Sequence, residues 1–332
     1  MFNKILFVIL CISFAGCGSE QKSAPPQPII FDSDMGPDYD DVGAITMLHA
    51  YADSGYINIL ATVASTRYEG VAAVMNVLNT YFNRQNIPIG IPKQNGLTLR
   101  DWQHWTDTLI RNYPHQIKTN NEVPDAVEVY RKALASQPDT SVIIVTTGFL
   151  TNVANLLRSQ PDNYSSLDGV ALVKQKVKQL VSMGGRFPEG KEFNLDQDAA
   201  SSRFVFSNWP TKVLFSGFEI GDKIKVGLPL IHNDQIQSSP VKNVFSICIP
   251  MAAEDSAGRK SWDETAVLVA VKGYASFYKL HQGKIVIAED GSNTWENNGS
   301  HSQAYLEEAV SSDVVQSYIN DLIQHQPGGN KK

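Results

Sequence analysis

No run of lysine or arginine occurs anywhere in this chain. Its 332 residues carry 28 basic and 34 acidic side chains, a formal net charge of -6. Without a basic patch, a nucleic-acid partner is not expected. Charged residues make up only 19% and hydrophobic residues 42%, a globular rather than a disordered composition. Internal repeats are lacking. So are a phosphate-cradling glycine loop and a serine nucleophile elbow. None of the seven histidines stands at metal-binding spacing. Cysteine is scarce, with residues at positions 11, 17 and 248 only.

Two of those cysteines lie in a distinctive N-terminus. MFNKILFVILCISFAGC has one lysine, an apolar run from Ile5 to Phe14, and small residues before Cys17. This reads as a secretory signal over residues 1–16, too short to count as a spanning helix. Phe14-Ala15-Gly16-Cys17 resembles a bacterial lipobox, which implies that Cys17 is lipidated and the protein anchored to a membrane of the cell envelope. Residues 17–27 are polar with two prolines and read as a flexible tether. Processing leaves Cys248 as the one free thiol, so no internal disulfide is expected. It sits in the apolar run VFSICIPM, which predicts a buried, inert cysteine.

From residue 28 to 325, strand-like and helix-like runs alternate in a single domain, followed by a polar tail at 326–332. Apolar strands are expected at 28–31, 57–64, 87–91, 141–146, 179–183, 212–215 and 284–288. Helices are expected from about Asp41, and over 68–82, 123–136, 150–159, 199–208, 264–271 and 314–324. This alternation predicts an α/β fold, a mostly parallel sheet covered by helices on both faces. Residues 94–122 and 217–262 have weak periodicity and read as insertions forming a lid or rim. In such sheets ligands bind at the carboxyl ends of the strands.

The loop after the first expected strand is Asp32-Ser33-Asp34-Met35-Gly36-Pro37-Asp38-Tyr39-Asp40-Asp41. Five carboxylates in ten residues repel one another unless a cation neutralises them. Dense oxygen donors suit Ca²⁺, and Mg²⁺ less well. A solvated acidic loop with Asp40 or Asp41 capping a helix explains one or two of the five. An EF-hand requires Glu at the twelfth position, where this chain has Gly43.

These residues carry a resemblance. DSDMGPDYDD is similar to the N-terminal signature of the inosine–uridine-type nucleoside hydrolases, with two extra residues before the final Asp pair. Thr147-Gly148-Phe149-Leu150-Thr151-Asn152 resembles that family's second element. Met183-Gly184-Gly185 with Glu192-Phe193-Asn194 resembles its third. Trp262-Asp263 stands where the family has a His-Asp pair. The resemblance implies a Rossmann-like nucleoside hydrolase fold and calcium-dependent cleavage of an N-glycosidic bond. It implies that Asp34, Asp41, Asp263 and the carbonyl of Thr147 hold the metal, and that Asp34 is also the general base. Asp40, Glu192 and Asn194 would bind the sugar. Thr66 replaces an asparagine amide near the metal. Trp262 would lie beside the departing base. Asp32 and Asp38 are implied as supporting groups, with Asp38 alternatively an extra ligand. Related enzymes are commonly homo-oligomers.

The chemistry agrees with this reading. An oxocarbenium-like sugar is stabilised by surrounding carboxylates, and water activation needs a cation and a base. The rival expectation is a tethered lipoprotein that binds a ribosylated solute without turnover. A second is hydrolysis of a different glycoside. Trp102, Trp105, Phe187 and Trp262 are candidate stacking residues, and His301 a candidate acid of lesser merit.

Overall fold

The computed structural model describes residues 25–297 and 302–328. The expected signal, Cys17, most of the tether, His301 and the end of the tail lie outside the described residues. Among the described residues, no helix is long and apolar enough to cross a membrane.

Among the described residues there are twelve strands: β1 (Gln27–Ser33), β2 (Ile57–Ala64), β3 (Ile89–Gly90), β4 (Val142–Thr146), β5 (Val177–Met183), β6 (Glu189–Lys191), β7 (Lys212–Ser216), β8 (Lys225–Val226), β9 (Arg259–Lys260), β10 (Tyr278–Ile287), β11 (Ser292–Glu296) and β12 (Gln303–Glu308). Ten form one sheet in the order β3-β2-β1-β4-β5-β7-β12-β10-β11-β6. From β3 to β12 every pairing is parallel. Beyond β12 the pairings are antiparallel. β8 and β9 make a separate antiparallel ribbon.

Strand period explains the two-sided core. In β1, Ile29 and Phe31 enter one apolar cluster and Ile30 the other. In β4, Ile143 and Val145 face the first, while Val142 and Ile144 face the second. Alternate side chains leave opposite faces, so a continuous apolar run buries both. Helices Asp40–Asp53, Val71–Tyr81, Pro240–Met251 and Trp262–Lys272 supply the first cluster. Ala126–Ala135, Thr151–Arg158, Gly169–Lys176 and Ala199–Asn208 supply the second. This is the expected α/β architecture.

Several expectations need correction. The strand expected at 87–91 is reduced to Ile89–Gly90, and the strand expected at 284–288 is the second half of β10. Segment 217–262 is no bare loop: it holds Pro240–Met251, two four-residue helices and the β8–β9 ribbon. Segment 94–122 holds a helix at Trp105–Asn112. Helix Trp262–Lys272 starts two residues earlier than expected, which brings Trp262 and Asp263 onto its first turn. Cys248 is fully buried, and burial raises its thiol pKa so that the group stays protonated.

Candidate active site

The carboxyl ends of β1, β4 and β5 converge with the first turn of helix Trp262–Lys272 on a cleft of about 300 Å³. Asp34, Asp38, Asp40, Thr147, Glu192, Asn194, Arg259, Trp262 and Asp263 line it, with Met183, Lys191, Phe193 and Phe218. Of the residues expected at the site, Asp34, Asp38, Asp40, Thr147, Glu192, Asn194, Trp262 and Asp263 are brought together. Asp41 lies against this set through its bond with Thr147, whose Oγ1 donates to Asp41 Oδ1 at 3.3 Å.

The loop that delivers Asp34 is pinned from within. Met35 N donates to Ser33 Oγ at 3.0 Å and Tyr68 OH donates to the Met35 carbonyl at 2.9 Å. Asp32 lies beneath: Tyr130 OH donates to it at 2.8 Å and Asn152 Nδ2 at 3.2 Å. The Asn152 amide also reaches the Ala64 carbonyl, so it ties β1 to β2. Burial raises Asp32 to about 7. It is held there by Tyr130 and Asn152.

Asp34, Asp40, Asp41, Glu192 and Asp263, all buried carboxylates, crowd the floor. Desolvation pushes Asp34 well above the usual carboxylate range, and the neighbouring charges of Asp41 and Glu192 add to it. Burial, then Asp40, Asp41 and Asp34, do the same to Asp263. Asp41 rises to about 6, mainly by burial. Oδ2 of Asp34 and Oδ2 of Asp41 are buried without a hydrogen-bond partner. Buried acceptors are normally satisfied. Hard oxygen donors in excess, two of them orphaned, fit a hard cation such as Ca²⁺. The fit is one of donor chemistry rather than of a preformed cage. Among the described residues, no three acidic, histidine or cysteine side chains already surround a metal position. Asp41 and Asp263 instead sit close enough to perturb each other's ionisation.

Asp40, expected to bind the sugar, lines the cleft and also holds protein groups there. Its Oδ2 accepts from the backbone N–H of Trp262 at 3.1 Å and of Asp263 at 3.3 Å. Its Oδ1 accepts from Arg259 Nη2 at 2.9 Å and Nε at 3.3 Å. Ser261, at the N-cap, makes no side-chain cap bond, so Asp40 caps that helix from across the cleft. Asp38 also pairs with Arg259. Its carboxylate is therefore matched with a cation of the protein.

Glu192 caps helix Phe193–Gln197, accepting from Asn194 N at 2.8 Å and Leu195 N at 3.1 Å, and from Gly185 N at 3.1 Å. Burial raises it to about 7. Asn194 Nδ2 donates to the Thr147 carbonyl at 3.3 Å, linking the second and third sequence elements. Both residues line the cleft, and both hold backbone there.

Thr66 is not brought into the cleft. Its hydroxyl faces the carbonyls of Leu97 and Leu99, at 3.0 and 2.9 Å, and so holds the 94–122 segment. Of the stacking candidates, Trp105 is fully buried and Phe187 stacks on Tyr305 at 4.5 Å inside the second cluster. Trp102 is exposed and lies outside the cleft lining. Trp262 does line it. Its Nε1 donates to the Phe218 carbonyl at 2.9 Å, so the indole N–H is already engaged.

Sequence reasoning missed Arg259, Lys191, Phe193 and Phe218. Arg259 had one available signal: five acids with no cation in their own loop require a counter-charge from elsewhere in the chain.

Comparison with known proteins follows this geometry. The family model described as inosine-uridine preferring nucleoside hydrolase matches residues 29–314. The pyrimidine-specific ribonucleoside hydrolase RihA of Enterobacter sp. (strain 638) is 29% identical over 236 residues, 68% of this chain and 67% of that protein. The inosine-uridine preferring nucleoside hydrolase of Leishmania major is 27% identical over 238 residues, covering 69% and 68%. Among solved structures, a purine-preferring ribonucleoside hydrolase from Gardnerella vaginalis superposes with a TM-score of 0.70 at 15% identity, covering 90% of this chain and 99% of that one. These relatives lend no support to a solute binder without turnover. A match over most of the domain, on a cleft that gathers the acidic loop with Thr147, Asn194 and Asp263, makes this chain a member of the inosine-uridine preferring nucleoside hydrolase family, a glycosidase acting on N-glycosyl compounds.

Proposed function

We propose that the protein is a calcium-dependent hydrolase that splits a ribonucleoside or related N-riboside into free base and ribose. The observation that carries this reading is the pair of orphaned, buried oxygens on Asp34 and Asp41 beside Thr147 and Asp263. Asp34, Asp41 and Asp263, with the Thr147 carbonyl, are the residues that would hold the ion. A bound calcium ion would neutralise the crowded carboxylates and lower the pKa of the attacking water.

Asp34 takes the proton from that water as it adds to the anomeric carbon. The surrounding carboxylates stabilise the positive charge that grows on the sugar. Glu192 and Asn194 shape the sugar's far side. Trp262 supplies an apolar wall beside the base. With its N–H engaged and no proton to give at neutral pH, it does not serve as an acid.

The reading includes export, lipidation at Cys17 and residence in the bacterial cell envelope. The chain enters β1 at Gln27, at the end of the parallel strands opposite the cleft. A tether attached there joins the domain at the end opposite the cleft.

A panel of purine and pyrimidine nucleosides, with and without calcium, tests the activity. Equal release of base and reducing sugar is expected in calcium. No release from any nucleoside, with the protein folded and calcium-loaded, would reject it.

A further inference from the structure

Departure of a base from ribose leaves negative charge on the leaving group, and something in the cleft must meet it. Trp262 is excluded as a donor by its bond to Phe218. The carboxylates have the wrong sign. Two cationic side chains line the cleft, Lys191 and Arg259. Lys191 is half exposed and pairs with Asp196 at 2.8 Å.

Arg259 is different. Only 9% of it is exposed, and its guanidinium lies 5.1 Å from the Trp262 ring centre and 4.7 Å from that of Tyr39. Nε and Nη2 are locked onto Asp40, and Asp38 also pairs with Nη2. Nη1 stands 3.7 Å from Asp255, beyond hydrogen-bond reach. A cation anchored through two nitrogens, with the third in a 3.7 Å ion pair to Asp255 and in no hydrogen bond, is a preorganised electrostatic group. It sits on the side of the cleft where Trp262 borders the base.

We propose that Arg259 is a catalytic residue that donates to the departing base and stabilises its developing negative charge, in place of a proton-donating side chain. The proposal rests on the nucleoside hydrolase reading above. The bond between anomeric carbon and base nitrogen breaks with its electron pair on the base. Arg259 keeps its proton throughout, and solvent protonates the released base. Guanidinium carries donors only, so the group it meets on the base is an acceptor nitrogen or carbonyl oxygen. The side chain also supports Asp40. A purely structural role would therefore slow every substrate alike, whereas leaving-group assistance acts according to how poor the leaving group is.

The test compares inosine with p-nitrophenyl riboside, whose leaving group departs unaided, in calcium-loaded wild type, Arg259→Met and Arg259→Lys. Loss of one preorganised donor lowers kcat by about 10²–10³-fold. That loss is expected for inosine in Arg259→Met, against less than about tenfold for p-nitrophenyl riboside. Arg259→Lys, which keeps the charge but not the fork, is expected between the two. An equal fall on both substrates, or none on inosine, would overturn the proposal. Should the variants fail to fold, a series of para-substituted phenyl ribosides on wild type decides. A shallow dependence of kcat/KM on leaving-group acidity supports the assignment, and a steep one contradicts it. Wild type inactive on every riboside would instead reject the nucleoside hydrolase reading itself.

Discussion

Gly148 lies so close to Asp34 that a β-carbon on it would come within 2.6 Å of the Asp34 β-carbon and of Ser65 Oγ. The glycine is what lets the end of β4 approach the end of β1. On the proposed reading, the carbonyl of Thr147 and the carboxylate of Asp34 would then face one ion. Gly148→Ala forces these two strand ends apart. Overpacking of this kind costs about 1–3 kcal/mol. A lower melting temperature together with weakened calcium binding is expected, read by thermal unfolding with and without the ion.

Asp34→Asn keeps the shape of the side chain and removes both the proton acceptor and a negative charge. Turnover should fall by about 10²–10⁴-fold. Steady-state kinetics at saturating calcium measures this, and near-normal kcat would assign the base elsewhere.

Calcium should stabilise the fold by binding only the native state. At a concentration one hundred times its dissociation constant the gain is about 2.7 kcal/mol. For a domain of this size that is a rise of roughly 5 °C in melting temperature. Differential scanning with EGTA and then excess calcium reads it.

Trp262→Ala removes an apolar wall of the cleft and leaves its N–H partner, the Phe218 carbonyl, free. Aromatic stacking on a base is worth about 1–3 kcal/mol. A 5- to 150-fold rise in nucleoside KM is the corresponding expectation. Unchanged KM would place the base against another surface.

His49 supplies a pH dependence remote from the cleft. It is fully buried, stacks on Phe82 and bonds Asn79 at 3.1 Å. Burial lowers its pKa from 6.5 to about 3. The unfolded chain therefore binds this proton more readily, and stability is lost as pH falls from about 6.5 towards 3. The loss reaches about 2 kcal/mol by pH 5. The buried carboxylates, whose pKa values are raised, act in the opposite direction in both wild type and variant. His49→Phe should thus make the melting temperature less sensitive to acid between pH 7 and 5.

Much of the centre of the sheet was legible because β1, β2, β4, β5 and β7 are buried largely on both faces and read as apolar runs. β6, β11 and β12 were not. Their sequences, EGK, SNTWE and QAYLEE, are polar, and they form strands because neighbouring strands offer backbone partners. At the site, the acidic loop was legible as a cluster of carboxylates after a strand, and Thr147, Asn194 and Asp263 only through the family resemblance. Thr66 also follows a strand, yet its hydroxyl turns to the carbonyls of Leu97 and Leu99, a tertiary contact that no local pattern announces. Arg259 lies on a two-residue ribbon strand in an aperiodic stretch, and its meaning comes only from the carboxylates it meets. Asp40 was legible as a site residue but not as a cap, because the helix it caps begins 222 positions later.

The central claim joins one calcium ion to one reaction. Protein stripped of metal, verified by elemental analysis, should be titrated with calcium while ribose release from inosine and uridine is followed. The account predicts negligible turnover in the stripped protein and recovery that saturates at one calcium per chain. Full turnover in protein shown to hold no metal would contradict it.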